Sequence, residues 1–151
     1  TYNTEVAFKN ILKPLKKNGY VIIGLYHKYG RVYTNIRQKI IKIFGDTFKF
    51  LDPRNTDTNI SSAKRYAWFN DQYKNPHETS HTLNQVKKWF NDNNIEYISS
   101  IPLDGTLNTK DFFKKSQNTN NTALFLKEFS LMFRPSQIKE GGFFITIGKK
   151  K

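Results

Sequence analysis

The sequence predicts an α/β fold, and three observations predict it. Short apolar runs rich in β-branched residues recur at 20–26, 95–101 and 143–147. Segments with apolar residues at three- and four-residue spacing lie between them, and turn-forming residues punctuate each change of period. A chain of 151 residues, 37% hydrophobic with 13 Phe, 8 Tyr and 2 Trp, is long enough to bury one core. No internal repeat and no clear linker divides it, so a single domain spanning 1–151 is expected.

In chain order, Ala7, Phe8, Ile11, Leu12 and Leu15 mark one face of a helix over about 4–16, which Pro14 kinks or ends. Asn18-Gly19 then supplies a left-handed turn. Tyr20 to Tyr26 reads as a strand buried on both faces. Val32, Tyr33, Ile36, Ile40, Ile43 and Phe44 keep helical spacing up to a stop at Gly45, with Arg37, Lys39 and Lys42 directed outward. Residues 46–60 read as a loop around Asp52-Pro53, and Ser61 or Ser62 caps a short helix through Phe69. Thr82-Leu83-Asn84-Gln85 has the form of a capping box, in which each side chain satisfies the other's free amide, and its helix stops near Asn93-Asn94. Ile95 to Ile101 is a second strand closed by Pro102. A polar loop over 102–121 follows. Leu124, Phe125, Phe129, Met132 and Phe133 form a last helical stripe, and after Gly141-Gly142 the run Phe143 to Ile147 forms a third strand before a basic tail, Lys149 to Lys151, read as a solvated end.

The formal charge of +13 raises polyanions as partners, because phosphate binding scales with the cations presented. Of the 25 basic residues, 20 are Lys. Specific base or bidentate phosphate readout leans on the planar fork of Arg, so a sequence-specific nucleic-acid module is not favoured. The absence of cysteine excludes disulfide and thiolate chemistry and fits a cytoplasmic protein. No apolar run approaches the ~20 residues of a membrane helix, so no membrane partner is expected.

His77-Glu78-Thr79-Ser80-His81 spells H-E-x-x-H, which on a helix places two imidazoles on one face for zinc, with the glutamate as general base. Pro76, the weak helix formers Thr79 and Ser80, and the cap at Thr82 argue that a helix begins after the motif instead of carrying it. No metal site is expected. The zinc-hydrolase alternative stays open only through Glu96 or Glu128 as a third ligand.

Leu15-Lys16-Lys17-Asn18-Gly19-Tyr20-Val21-Ile22-Ile23 resembles the helix-turn-strand of class I S-adenosylmethionine-dependent methyltransferases, with Lys17 and Asn18 where the family has Pro and Gly. The stretches Gly24 to Arg31, Trp68 to Glu78, His81-Thr82 and Gly141-Gly142-Phe143-Phe144 are similar to one bacterial branch of that superfamily. The resemblance implies the C-terminal half of a Rossmann-like methyltransferase sheet with several packed helices: Tyr20 to Tyr26 as the fifth strand, Ile95 to Ile101 as the sixth, and Phe143 to Ile147 as an antiparallel seventh between them. The Gly-rich turn and ribose-gripping acid that hold S-adenosylmethionine belong to the first four strands, and no such motif occurs here. The expected partners are therefore an N-terminal half of the same domain, which would carry the cofactor, and a methyl acceptor that these residues do not identify. No catalytic residue is assigned.

Ligands collect at the carboxyl ends of strands in open α/β sheets, which puts Tyr26, His27, Tyr29 and Arg31 on the substrate side. The resemblance adds Asp71, Gln72, Tyr73, His77, Glu78 and His81 as substrate-cap residues. Rim packing for the tyrosines and a solvated charge for Arg31 are the competing readings.

Overall fold

The computed structural model describes residues 3–74, 78–101, 113–116, 120–133 and 142–151. It is an α/β structure with one four-stranded mixed sheet. The elements run α1 (Thr4–Leu12), β1 (Tyr20–His27), α2 (Val32–Phe44), a 3-10 helix (Asp46–Leu51), α3 (Pro53–Thr56), α4 (Ser62–Phe69), a π-helical turn (Asn70–Lys74), β2 (Ser80–His81), α5 (Leu83–Asp92), β3 (Ile95–Ile101), α6 (Asn121–Ser130), a 3-10 turn (Leu131–Phe133) and β4 (Phe143–Lys150). They group into two compact units: residues 1–31 with 79–151, and Val32–Glu78 inserted between them.

In unit 1 the strand order is β2-β1-β4-β3. β4 is antiparallel to both of its neighbours, whereas β2 lies parallel to β1 through only two residue pairs, Tyr26 with Ser80 and His27 with His81. Val21, Ile23, Leu25 and His27 alternate onto the face covered by helices, where Phe8, Leu12, Leu83, Val86, Trp89, Phe90, Ile95, Leu124 and Phe144 form the core. The opposite face of β1 carries Tyr20 and Ile22, 44% and 56% exposed. The expectation of burial on both faces is thereby corrected: β1 is half-buried.

Helix boundaries follow local chemistry. α1 stops at Leu12, earlier than its apolar pattern, because Pro14 cannot continue the hydrogen-bond ladder. Asn18 takes φ 63° and turns the chain into β1. Both halves of the capping box form, with Gln85 N–H donating to Thr82 Oγ1 at 3.2 Å and Thr82 N–H donating to Gln85 Oε1 at 3.1 Å. β3 spans Ile95–Ile101 as its apolar run predicts. β4 instead continues past Ile147 to Lys150, since its backbone keeps pairing with Tyr20–Val21 and Ile95–Tyr97. The basic tail is thus part of the sheet: Lys150 Nζ donates to the Leu15 carbonyl at 2.7 Å. Of the loop expected over 102–121, residues 113–116, 120 and 121 are among those described.

Unit 2 departs most from its sequence reading. Residues 46–60, expected as a loop, hold the 3-10 helix and α3. Asp52 caps α3 by accepting from Arg54 N–H at 3.0 Å, and Pro53 sits at the first helical position, where its missing N–H is harmless. Ile41, Phe69, Tyr73 and Phe48 form a small separate core. Arg37, expected to point outward, is half-buried and acts on the Tyr73 hydroxyl.

Candidate functional site

Three backbone hydrogen bonds converge on the carboxyl end of β1. His27 N–H donates to the Gly142 carbonyl at 2.7 Å, Lys28 N–H to the His81 carbonyl at 3.0 Å, and Arg31 N–H closes a turn on the His27 carbonyl at 3.0 Å. Gly142 makes this approach possible. It has φ 81°, and a Cβ there would sit 2.7 Å from the Gly30 backbone, so the two glycines meet backbone to backbone.

His27 itself is fully buried. Its Nδ1 accepts from Tyr29 N–H at 3.2 Å, which leaves the proton of the neutral ring on Nε2, facing Glu128 Oε1 at 3.0 Å. The same carboxylate oxygen accepts from Leu83 N–H, at the N-terminus of α5, at 2.6 Å. Glu128 is 1% exposed, and the positive end of the α5 dipole lies on it. One carboxylate therefore joins β1, α5 and α6. Phe144 packs edge-on to the imidazole, 5.5 Å between centroids. Because both ring nitrogens are engaged and no part of the ring is exposed, His27 positions its neighbours and does not meet solvent.

Around this pair the predicted residues separate into layers. Arg31 is 1% exposed, with its guanidinium 4.2 Å from the centre of the Tyr26 ring, and Tyr26 in turn packs against Phe143. A solvated charge at this position is thus replaced by a buried one. Tyr26 and Tyr29 are half-buried, and Tyr29 meets Phe125 and Phe129 edge-on. His81 pairs with His27 across the β1–β2 ladder and turns its ring onto Trp89 at 4.9 Å. Its Nε2 is buried with no hydrogen-bond partner among the described residues, as is Thr146 Oγ1. Burial pushes the His81 imidazole below its ordinary pKa, and a bond with Gln85 only partly opposes this.

The other predicted residues belong to unit 2. Asp71 is exposed, while Gln72 and Glu78 are half-buried. Tyr73 is buried, and its hydroxyl donates to Asp52 Oδ2 at 2.7 Å. Burial first, then the hydrogen bond to Asp52 and its charge, push its phenol up to about 12. Arg54 donates to the same carboxylate through Nε at 3.2 Å and Nη2 at 3.0 Å. Tyr73 is thus an anchor of a local polar network. His77 lies outside the described residues.

Ser80 and His81 lie in a strand, so H-E-x-x-H is not carried on one helix. Among the described residues no group of three His, Cys, Asp or Glu side chains is arranged to hold a metal ion. In the turn after β1 the single glycine, Gly30, packs against Gly142. No described helix is long and apolar enough to cross a membrane.

Glu128 is the residue that the sequence reading weighed only as a spare zinc ligand. Its signal was present: it stands four residues after Leu124, on the face that α6 buries. An acid in register with a buried leucine requires a buried donor. No family model matches this chain, and no curated protein or solved structure matches it.

Proposed function

We propose that the chain forms the C-terminal, substrate-side half of a class I S-adenosylmethionine-dependent methyltransferase. The observation that carries this reading is the strand order β1-β4-β3 with β4 antiparallel to both neighbours, which is the arrangement expected of the fifth, seventh and sixth strands of that fold. A second feature supports it. β2 pairs with β1 only at Tyr26 and His27, so among the described residues the edge of β1 from Tyr20 to Leu25 has no partner. Alongside lies an apolar groove of about 290 Å³ whose walls include Ala7, Phe8, Ile11, Ile22, Leu25 and Trp89. An unpaired, uncharged edge beside such a groove suits a strand supplied by the N-terminal half of the domain.

In this reading the cofactor supplies the electrophilic methyl group and is held by that other half. The residues of this chain bind and orient the acceptor. Tyr26 and Tyr29 stand at the rim of the β1 carboxyl end, and the His27–Glu128 pair holds their backbone in place from beneath. Orientation is the larger part of what methyl transfer asks of a protein, since the reaction needs an in-line approach.

Calorimetry of this chain with S-adenosylmethionine is expected to show no binding. Micromolar binding would contradict the division of labour. The coding sequence upstream of Thr1 is expected to contain an open frame with a strand followed by a Gly-rich turn, and a chain extended through it should bind the cofactor. An upstream frame without that pattern would remove the family assignment.

A further inference from the structure

At the opposite end of the same sheet, three strands place a tyrosine, a lysine and a glutamate in one cross-strand row. Tyr20 pairs with Lys149, and Lys149 pairs with Glu96, so the three side chains share the face opposite that of Val21. Phe113, 55% exposed, stands edge-to-face with Tyr20 at 4.9 Å between centroids, and the Lys149 ammonium lies 5.7 Å from the Tyr20 ring. Lys115 pairs with Glu96, and the charges of Lys151 and Lys149 also bear on that carboxylate. The turn carrying the exposed Lys16 and Lys17 is tied to the end of β4 by two 2.9 Å bonds, Asn18 N–H to the Lys150 carbonyl and Lys150 N–H to the Gly19 carbonyl. Lys115, Lys149 and Lys151 thus act on one carboxylate beside two exposed rings, and the backbone of the turn that carries Lys16 and Lys17 is bonded to the end of the same strand.

We infer that this end of the sheet is a binding surface for single-stranded nucleic acid, with Phe113 braced by Tyr20 as the stacking platform and the surrounding lysines as phosphate contacts. The excess of cations fits a polyanion. The exposed perpendicular ring pair selects among polyanions, because only unpaired bases can lay a π-face on it. Ile22, next but one to Tyr20 and on the same face, extends the apolar strip for a neighbouring base. Lysines without arginine forks read charge and not base edges, so the surface binds without strong sequence preference. Glu96 is the counterpoise: it holds Lys115 in place and subtracts from the field. The inference uses none of the residues assigned to the acceptor site; it shares Tyr20 and Ile22 with the strand edge and groove described above.

The test is fluorescence anisotropy of the intact chain with labelled oligothymidylate and oligouridylate of about a dozen nucleotides, across a salt series. A duplex of equal length and inorganic polyphosphate serve as competitors. Both oligonucleotides are expected to bind, more weakly as salt rises, and to resist the two competitors. Phe113→Ala should weaken binding roughly tenfold with its circular dichroism unchanged. Lys115→Gln and Lys149→Gln should each lower the salt slope by about 0.7. Glu96→Gln should tighten binding several-fold. If Phe113→Ala leaves the affinity unchanged, or polyphosphate competes as well as the oligonucleotides do, the surface is merely basic and the inference is overturned. Glu96→Gln without effect would place binding elsewhere and overturn it equally.

Discussion

Each of the two units buries a carboxylate, and they use it differently. In unit 1 Glu128 reaches partners 101 and 45 residues away, His27 Nε2–H and Leu83 N–H, and both of these donors are buried. In unit 2 Asp52 takes Arg54, two residues on, and Tyr73, 21 residues on, with Arg54 still reaching solvent. A long-range acid holds separate elements in one arrangement. A local acid completes a cap and anchors one ring. The comparison shows why a buried carboxylate cannot be valued from burial alone: Glu128 and Asp52 are 1% and 3% exposed, yet removing them strands different numbers of donors in different surroundings.

The sharpest way to break this contrast is Glu128→Ala, which leaves two buried donors unmatched. It is expected to cost about 3 kcal/mol, read as a lowered urea midpoint of the fluorescence of Trp89, which belongs to unit 1. A cost below that of the matching change in unit 2 would reverse the ordering. That matching change, Asp52→Ala, removes a helix cap and the acceptor of the Tyr73 hydroxyl but frees Arg54 into water. About 2 kcal/mol is expected, followed through Trp68 of unit 2.

Acid sharpens the contrast further, with smaller effects. In unit 1, burial lowers the His81 pKa below 6.5, so its neutral form contributes stability that is present above that value and is lost as pH falls through the folded pKa. In unit 2, burial raises Asp52, but hydrogen bonds from Arg54 and Tyr73 outweigh it and leave the carboxyl below 3.8. Its contribution is present above 3.8 and is lost only as pH falls further. Acid titration should therefore weaken the Trp89 signal's unit first. His81→Phe keeps a ring against Trp89 and removes the unpartnered nitrogen, so it should erase the early onset and raise stability at neutral pH by about 0.5 kcal/mol. Thermal melts at pH 7 and pH 5 would check both.

Much of unit 1 was legible because its signals are local and repeated. The three apolar runs became strands, the capping box formed, and Pro14 and Asn18 ended or turned the chain where their backbone chemistry requires. Unit 2 was less legible. Asp52-Pro53 reads equally as a turn and as a cap followed by the first helical residue, and only packing of Tyr73 onto Asp52 decides between them. β2 has two residues, too few for any periodicity. The stripe from Leu124 to Phe133 has helical spacing, yet Phe125, Phe129 and Phe133 are exposed while Leu124 is buried. Spacing identifies a face, but not what lies against it. Of the proposed substrate-side residues, the sequence could place Tyr26 to Arg31 at a strand end; that His27 and Arg31 turn inward depends on Glu128 and Tyr26, contacts that no spacing encodes.

β4 comes after every other described strand along the chain, yet it sits between β1 and β3. The two flanking strands run in the same direction and have no ladder with each other, so during synthesis both wait, apolar and unzipped, for a partner that has not been made. Assembly of this sheet is consequently an all-at-once event dominated by distant pairings, which predicts a slow folder. The waiting strands are also where helper proteins, or unwanted self-association, would first take hold.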